Sequence, residues 1–200
     1  MKRLIIATNN PGKAREIARI LSDLDLEFRS LGDYPPMPEP TETADSFAGN
    51  AAIKALAAAA HTGELALADD SGLVVDALAG APGIYSSRFA GEGATDEERN
   101  AKVLDLMSQV PDGKRTARFI SAVAVAEPGR LIGTAEGVCE GTIAREPRGA
   151  HGFGYDPIFY LPELGCTMAE LPPEAKNRIS HRAKALVAAK QILASIGQQT

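Results

Sequence analysis

The chain has 200 residues and a mass of 21.0 kDa, of which 44% are hydrophobic and 24% charged. That is enough to bury a sizeable core without disulfides or structural metal. Its formal net charge of −5 argues against a binder of nucleic-acid polymer, which needs a basic face, but leaves room for a local cation cluster on a small anion. No apolar run is long enough for a signal peptide or a membrane span, so no membrane partner is expected and the cytoplasm is the expected compartment. Cys139 and Cys166 have no metal-ligand spacing around them and read as free thiols.

Arg3 to Thr8 is a predicted buried strand, rich in Leu and Ile. Asn10-Pro11 then supplies an N-cap and a proline at the first helical position. Ile17, Ile20, Leu21 and Leu24 carry that helix to about Ser22, and Leu26 to Ser30 follows as a strand. Four prolines make Leu31 to Pro40 an extended loop. Asp45 is the expected cap of an alanine-rich helix that ends near His61-Thr62-Gly63. Leu65–Ala68 and Leu73–Val75 are strand-like runs flanking Asp69-Asp70-Ser71-Gly72, and Gly80 to Gly93 is loop-like. Thr95 caps a helix with Asp96, Glu97 and Glu98 in its first turn.

Arg118–Ala126 and Leu131–Val138 are strands of a hairpin turning at Glu127-Pro128-Gly129-Arg130, before a Gly- and Pro-rich stretch over 141–157. Ser180 is placed to cap a last helix with an apolar stripe of Leu186, Ala189, Leu193 and Ile196. The pattern predicts an α/β fold with a mixed sheet flanked by helices, as one domain over 1–200 or two lobes sharing a core around a cleft.

Two helices break the rule that cations are unfavourable at a helix N-terminus, a cost of roughly 0.3–1 kcal/mol each. The first carries Lys13, with Arg15 close behind. The last opens with His181, Arg182 and Lys184, just after Lys176 and Arg178. Cations there make sense if an anion joins the backbone N–H groups, and a phosphate is the natural candidate. Thr8, Asn9 and Asn10 lie where a strand meets a helix, a common ligand position in α/β sheets. Asp69 and Asp70 are adjacent carboxylates at an apolar strand end; in extended chain they face opposite ways, so one is expected to ligate a given ion. Mg²⁺ suits such a site, because it takes one or two carboxylates plus substrate phosphates. Asn50 and Lys54 share a helix face, and Glu42 could supply a second carboxylate. Gly152-Phe153-Gly154-Tyr155-Asp156-Pro157 sets an aromatic ring between glycines, where a planar base could lie on it.

These residues resemble the inosine triphosphate pyrophosphatase family, also called the dITP/XTP pyrophosphatases. The matching blocks are Ala7-Thr8-Asn9-Asn10-Pro11-Gly12-Lys13, then Ser46-Phe47 with Asn50-Ala51 and Lys54-Ala55, and Ala68-Asp69-Asp70-Ser71-Gly72-Leu73. Gly80 to Arg88, Gly152 to Phe159, and Lys176 with Ser180-His181-Arg182 complete them in family order. The resemblance implies an elongated mixed sheet, a substrate cleft between two lobes, a homodimer and Mg²⁺. It implies hydrolysis of ITP, dITP and XTP to the monophosphate and pyrophosphate, keeping such bases out of DNA and RNA. By position it makes Asp70 the catalytic acid, with Asp70 and Glu42 on the metal. Thr8, Asn9, Asn10, Pro11, Gly12, Lys13 and Ser71 fall at the triphosphate. Asn50 and Lys54 join the substrate-binding set, and Phe153, Gly154, Tyr155, Asp156, Lys176, His181 and Arg182 surround the nucleotide. One departure is Gly49, where the family usually has Glu before the Asn of its second block; another is Cys166, where Lys is common.

An Asp near its ordinary pKa of about 3.9 is a poor base, and a nearby cation is expected to lower it further. Arg182 and His181 are the expected donors to the C6 oxygen of hypoxanthine or xanthine, which an adenine amino group could not satisfy. Two rival readings are a Maf-type pyrophosphatase acting on pyrimidine or modified triphosphates and a non-catalytic nucleotide-binding module.

Overall fold

The computed structural model describes residues 2–197; Met1 and residues 198–200 of the expected 1–200 domain lie outside the described residues. Its strands are β1 (Lys2–Ile6), β2 (Leu26–Ser30), β3 (Leu65–Val75), β4 (Thr116–Glu127), β5 (Arg130–Ile143), β6 (Phe159–Leu161) and β7 (Cys166–Thr167). The helices are α1 (Pro11–Ile20), α2 (Phe47–Thr62), α3 (Asp96–Leu106), α4 (Pro173–Ile179) and α5 (His181–Gly197). The strands hydrogen-bond in the order β2-β1-β3-β4-β5-β6-β7. β1 is parallel to β2, with Leu4 opposite Phe28, and to β3, with Leu4 opposite Leu65. β6 is antiparallel to β5 and β7. The sheet is therefore mixed, as expected. No helix among the described residues is long and apolar enough to cross a membrane.

The chain divides into two compact units. One takes residues through Asp70 together with Ser121–Gly137 and α5; the other takes Ser71–Ile120 and Val138–Ser180. In the first unit the sheet is covered on both faces, and strand alternation decides which helix each side chain meets. Leu4 and Ile6 of β1, Leu67 of β3, and Val123 and Val125 of β4 pack with Ile17 and Leu21 of α1 and Leu186, Ala189 and Leu193 of α5. Ile5, Ala66, Ala68, Ala122, Ala124 and Ala126 point the other way, onto Ala51, Ala55, Ala58 and Ala59 of α2. Small residues on both sides let α2 lie close to the sheet. Each buried Leu or Ile on the opposite face contributes about 1.5–3 kcal/mol by leaving water.

Helix ends follow local chemistry. Asn10 caps α1 through its side chain, with Pro11 behind it. Thr95 and Glu98 form a capping box on α3, and Gly63 ends α2 in the left-handed conformation. Ser46, not Asp45, caps α2, because its hydroxyl accepts the Gly49 N–H. At Gly137 the backbone of α5 lies directly on β5: a Cβ there would stand 2.2 Å from the His181 carbonyl oxygen. The second unit packs Leu73, Val75, Phe119, Ile143, Phe159 and Met168 into one core with Val103 of α3 and Met107 just after it. Both cysteines are free, Cys139 buried and Cys166 partly so.

Three expectations change. Asp69 and Asp70 do not stand at a strand end: β3 runs unbroken from Leu65 to Val75 through a mostly buried stretch. β4 and β5 extend beyond the expected hairpin at their outer ends, towards Thr116 and Ile143. β6, β7 and α4 occupy a region where the sequence carries no long periodic run.

Candidate active site

Alternation along β3 sends its two carboxylates to opposite faces, as the extended-chain argument requires. Asp69 continues the row of Leu67 and meets α1, α5 and β4. Asp70 continues the row of Ala66 and Ala68 and meets α2.

Asp69, 2% exposed, is saturated. Its Oδ2 lies 2.7 Å from Lys13 Nζ, and its Oδ1 accepts the Ser121 hydroxyl at 2.5 Å. Arg182 straddles both oxygens, with Nε and Nη2 each at 3.3 Å, and points Nη1 at Glu16 of α1. A closed ring of charge thus joins α1 to α5 and β3. Burial alone would raise the Asp69 carboxyl, but Arg182 and Lys13 outweigh it and hold the group well below the usual carboxylate range. Burial pushes the Lys13 ammonium down, with Arg182 and Lys54 adding to the shift and Asp69 opposing it. The cations that break the helix rule in the sequence therefore have the protein's own carboxylates as partners. Arg182, 2% exposed, directs its guanidinium at Asp69 and Glu16.

Asp70, 7% exposed, is half satisfied. Lys54 Nζ sits 2.7 Å from its Oδ1 and 3.0 Å from Glu42 Oε1, bridging the two carboxylates. Asp70 Oδ2 is buried with no hydrogen-bond partner. A lone carboxylate oxygen in that state is costly unless something else binds it. Contrary to the sequence expectation, the net shift of Asp70 is upward, because its burial outweighs Lys54. Lys54 stays raised, since Asp70 and Glu42 together overcome its burial. No group of three or more His, Cys, Asp or Glu that could hold a metal occurs among the described residues. The donor set that fits a divalent cation is the pair Glu42 and Asp70, with the open Oδ2 as its strongest feature. A hard ion completing its shell with phosphate and water needs no more. Gly49 contributes space instead of a ligand, as a Cβ there would stand 2.5 Å from Ala44 Cβ.

Asn10 Oδ1 accepts the N–H groups of Gly12 and Lys13, and Thr8 Oγ1 accepts that of Asn10. Pro11 and Asn9 are exposed beside them. Asn50 is buried, its Oδ1 accepting the Ala44 N–H at 3.1 Å. His181 is buried at the start of α5.

The second unit gathers the remaining set around one turn. Asp156 Oδ2 accepts the Phe153 N–H at 2.9 Å and takes Lys176 Nζ at 2.5 Å. Lys176 also lies over the Phe153 ring, 4.6 Å from its centroid, which adds a cation–π attraction. Gly152 is required here: it sits at φ 77°, and a Cβ would fall 2.0 Å from Asp156 Oδ2. Tyr155 donates its hydroxyl to the Ser86 carbonyl, and burial pushes its pKa up. Ser71 stands partly buried on β3 in this unit.

Four participants escape the sequence reading: Glu16, Ser121, Asp96 and Asn100. Ser121 could have been found as the one hydroxyl in the apolar run Phe119-Ile120-Ser121-Ala122-Val123, and Glu16 as the acid one turn beyond Lys13.

The chain matches the model of the Ham1 family over residues 4–192. The dITP/XTP pyrophosphatase of Desulforamulus reducens is 56% identical to it, over 96% of this chain and 95% of that one. The dITP/XTP pyrophosphatase of Geobacillus kaustophilus is 54% identical, over 93% and 91%. Among solved structures, a HAM1 protein from Coxiella burnetii superposes with a TM-score of 0.88 at 45% identity, covering 98% of this chain and all of that one.

Proposed function

The chain belongs to the Ham1 family, and from that premise we propose that it hydrolyses the triphosphates of deaminated purines, dITP, ITP and XTP, to monophosphate and pyrophosphate. The observation that carries the chemistry is Asp70: a buried carboxylate with one oxygen on Lys54 and the other open. Glu42 and Asp70 hold a divalent cation in this reading, Mg²⁺ by the chemistry of the donors. When bound, such a cation neutralises triphosphate charge and makes a bound water easier to deprotonate.

The chain's own residues do the rest. Asp70, raised by burial, takes a proton from the attacking water as the water oxygen bonds to phosphorus and the α–β anhydride breaks. Pyrophosphate leaves with the electron pair. Lys54 holds the Asp70 carboxylate in place and, with Lys13 at the start of α1, faces the negative chain. Thr8 to Gly12 and Ser71 shape the triphosphate region. Phe153 offers a face to the base, and Lys176 and Asp156 fix that face. Arg182 orients Asp69 and through it Lys13, and His181 and Arg182 serve as donors to the C6 oxygen of the base. A single functional domain, a homodimer and a cytoplasmic setting belong to the same reading and rest on the family resemblance.

Pyrophosphate release from a panel of dITP, ITP, XTP, dTTP, UTP and ATP tests it. Release from dITP, ITP and XTP, with ATP and the pyrimidines poor, is the expected result. Preference for dTTP or UTP would favour a Maf-type activity, and ITP binding in Mg²⁺ without release would leave only a binding module.

A further inference from the structure

We propose that Asp96 and Asn100 of α3 are positioning residues for base recognition, acting as a two-point clamp on the backbone of Gly154; this rests on the reading of Phe153 as the base platform. The two side chains lie four residues apart and share one helix face. Asp96 Oδ2 accepts the Gly154 N–H at 2.6 Å, and Asn100 Nδ2 donates to the Gly154 carbonyl at 3.1 Å. The Phe153 N–H goes to Asp156 Oδ2 and its carbonyl to the Asp156 N–H. Every backbone polar group of Phe153 and Gly154 is thereby fixed, and half of the fixing comes from α3.

Two features set these contacts apart from ordinary loop anchoring. Asn100 is 5% exposed and its Oδ1 is buried without a partner, so the amide is kept for the one bond its Nδ2 makes. Its orientation is forced, since the reverse flip would set an oxygen against the Gly154 carbonyl. Asp96 is itself steadied by Arg99, which also donates to the carbonyls of Ser87 and Ala94. Gly154 sits at φ 64°, a left-handed conformation with little of its own to hold it in place. The direction in which the Phe153 ring leaves the backbone is therefore inherited from α3.

The test compares D96A, D96N, N100A and N100D with F153A as the reference, reading KM and kcat for ITP, the ITP-to-ATP preference, and the calorimetric affinity for inorganic tripolyphosphate, which has no base. N100A, N100D and D96A are expected to raise KM for ITP about tenfold, as lost hydrogen bonds of this kind do. They should lower the ITP-to-ATP preference, keep kcat within about twofold and leave tripolyphosphate affinity as in the wild type. D96N keeps an acceptor oxygen and should recover most of the D96A loss. If F153A raises KM and the α3 variants do not, the clamp is wrong and the platform stands. If F153A has no effect on KM, the platform falls and takes the clamp with it. Equal losses for ITP and tripolyphosphate would show general loosening and overturn the inference. Should N100A fail to fold, the partly exposed Asp96 pair decides the matter alone.

Discussion

In the first unit the site is made of charge on charge: Lys13, Glu16, Asp69 and Arg182 neutralise one another in a largely buried ring, and the neighbouring Asp70 keeps one oxygen open. In the second unit the site is made of backbone: side chains of Asp96, Asn100 and Asp156 pin two residues so that one aromatic ring is presented. In the proposed function, rigid surroundings serve a reactive carboxylate in one case and a recognition surface in the other. The difference teaches that the units should fail differently, the first in turnover or stability and the second in affinity and choice of base.

The largest effect should come from D70N. Removing a positioned base costs about 10²–10⁴ in kcat, while the unfolding free energy stays within about 1 kcal/mol, because Lys54 keeps Glu42 as its partner. Steady-state kinetics beside urea unfolding would show it. D69N should do the reverse. Breaking a buried ion pair costs roughly 3–5 kcal/mol, visible as a lower midpoint in urea. It should also flatten the acid limb. The folded Asp69 pKa lies below its unfolded value of about 3.9, so its contribution is present above that pH and lost as pH falls through the folded value. Melting curves from pH 7 to 2 should show the wild-type advantage over D69N shrinking once the pH falls below about 3.9. A disadvantage that persists unchanged to pH 2 would separate Asp69 from the ion pair.

Smaller still, F153A should raise KM for ITP about tenfold, from lost base stacking, with little change in kcat. Arg15 is charged and two residues from Lys13, yet exposed and outside the ring. R15A should keep kcat/KM within about twofold, since isolated surface charges contribute little. A large loss would mean that overall field, not the ring, holds the anion.

Much of this was legible in the sequence. Asn10-Pro11 and the Thr95 box fixed two helix starts through local capping, and the adjacent Asp69 and Asp70 announced opposite faces once the strand was granted. The Ala–Val alternation from Ala122 to Ala126 also encodes which face meets the alanine-rich α2. What stayed hidden was tertiary. Nothing near Arg182 says that its guanidinium is committed to Asp69, 113 residues away, or that Asn100 reaches Gly154 across 54 residues. Short elements such as β6, β7 and α4 lack the length for a periodic signal. The unbroken course of β3 was masked by Asp69 to Gly72, polar and small residues that usually mark a turn.

In the proposed function, the open oxygen of Asp70 is the point where a divalent cation is held. Titration of Mg²⁺ into the wild type and D70N by calorimetry, each with pyrophosphate present, tests this without relying on turnover. Weakening of Mg²⁺ binding by about tenfold or more in D70N, the loss of one good ligand's worth of interaction, is the result expected. Equal Mg²⁺ affinity in the two proteins would contradict it.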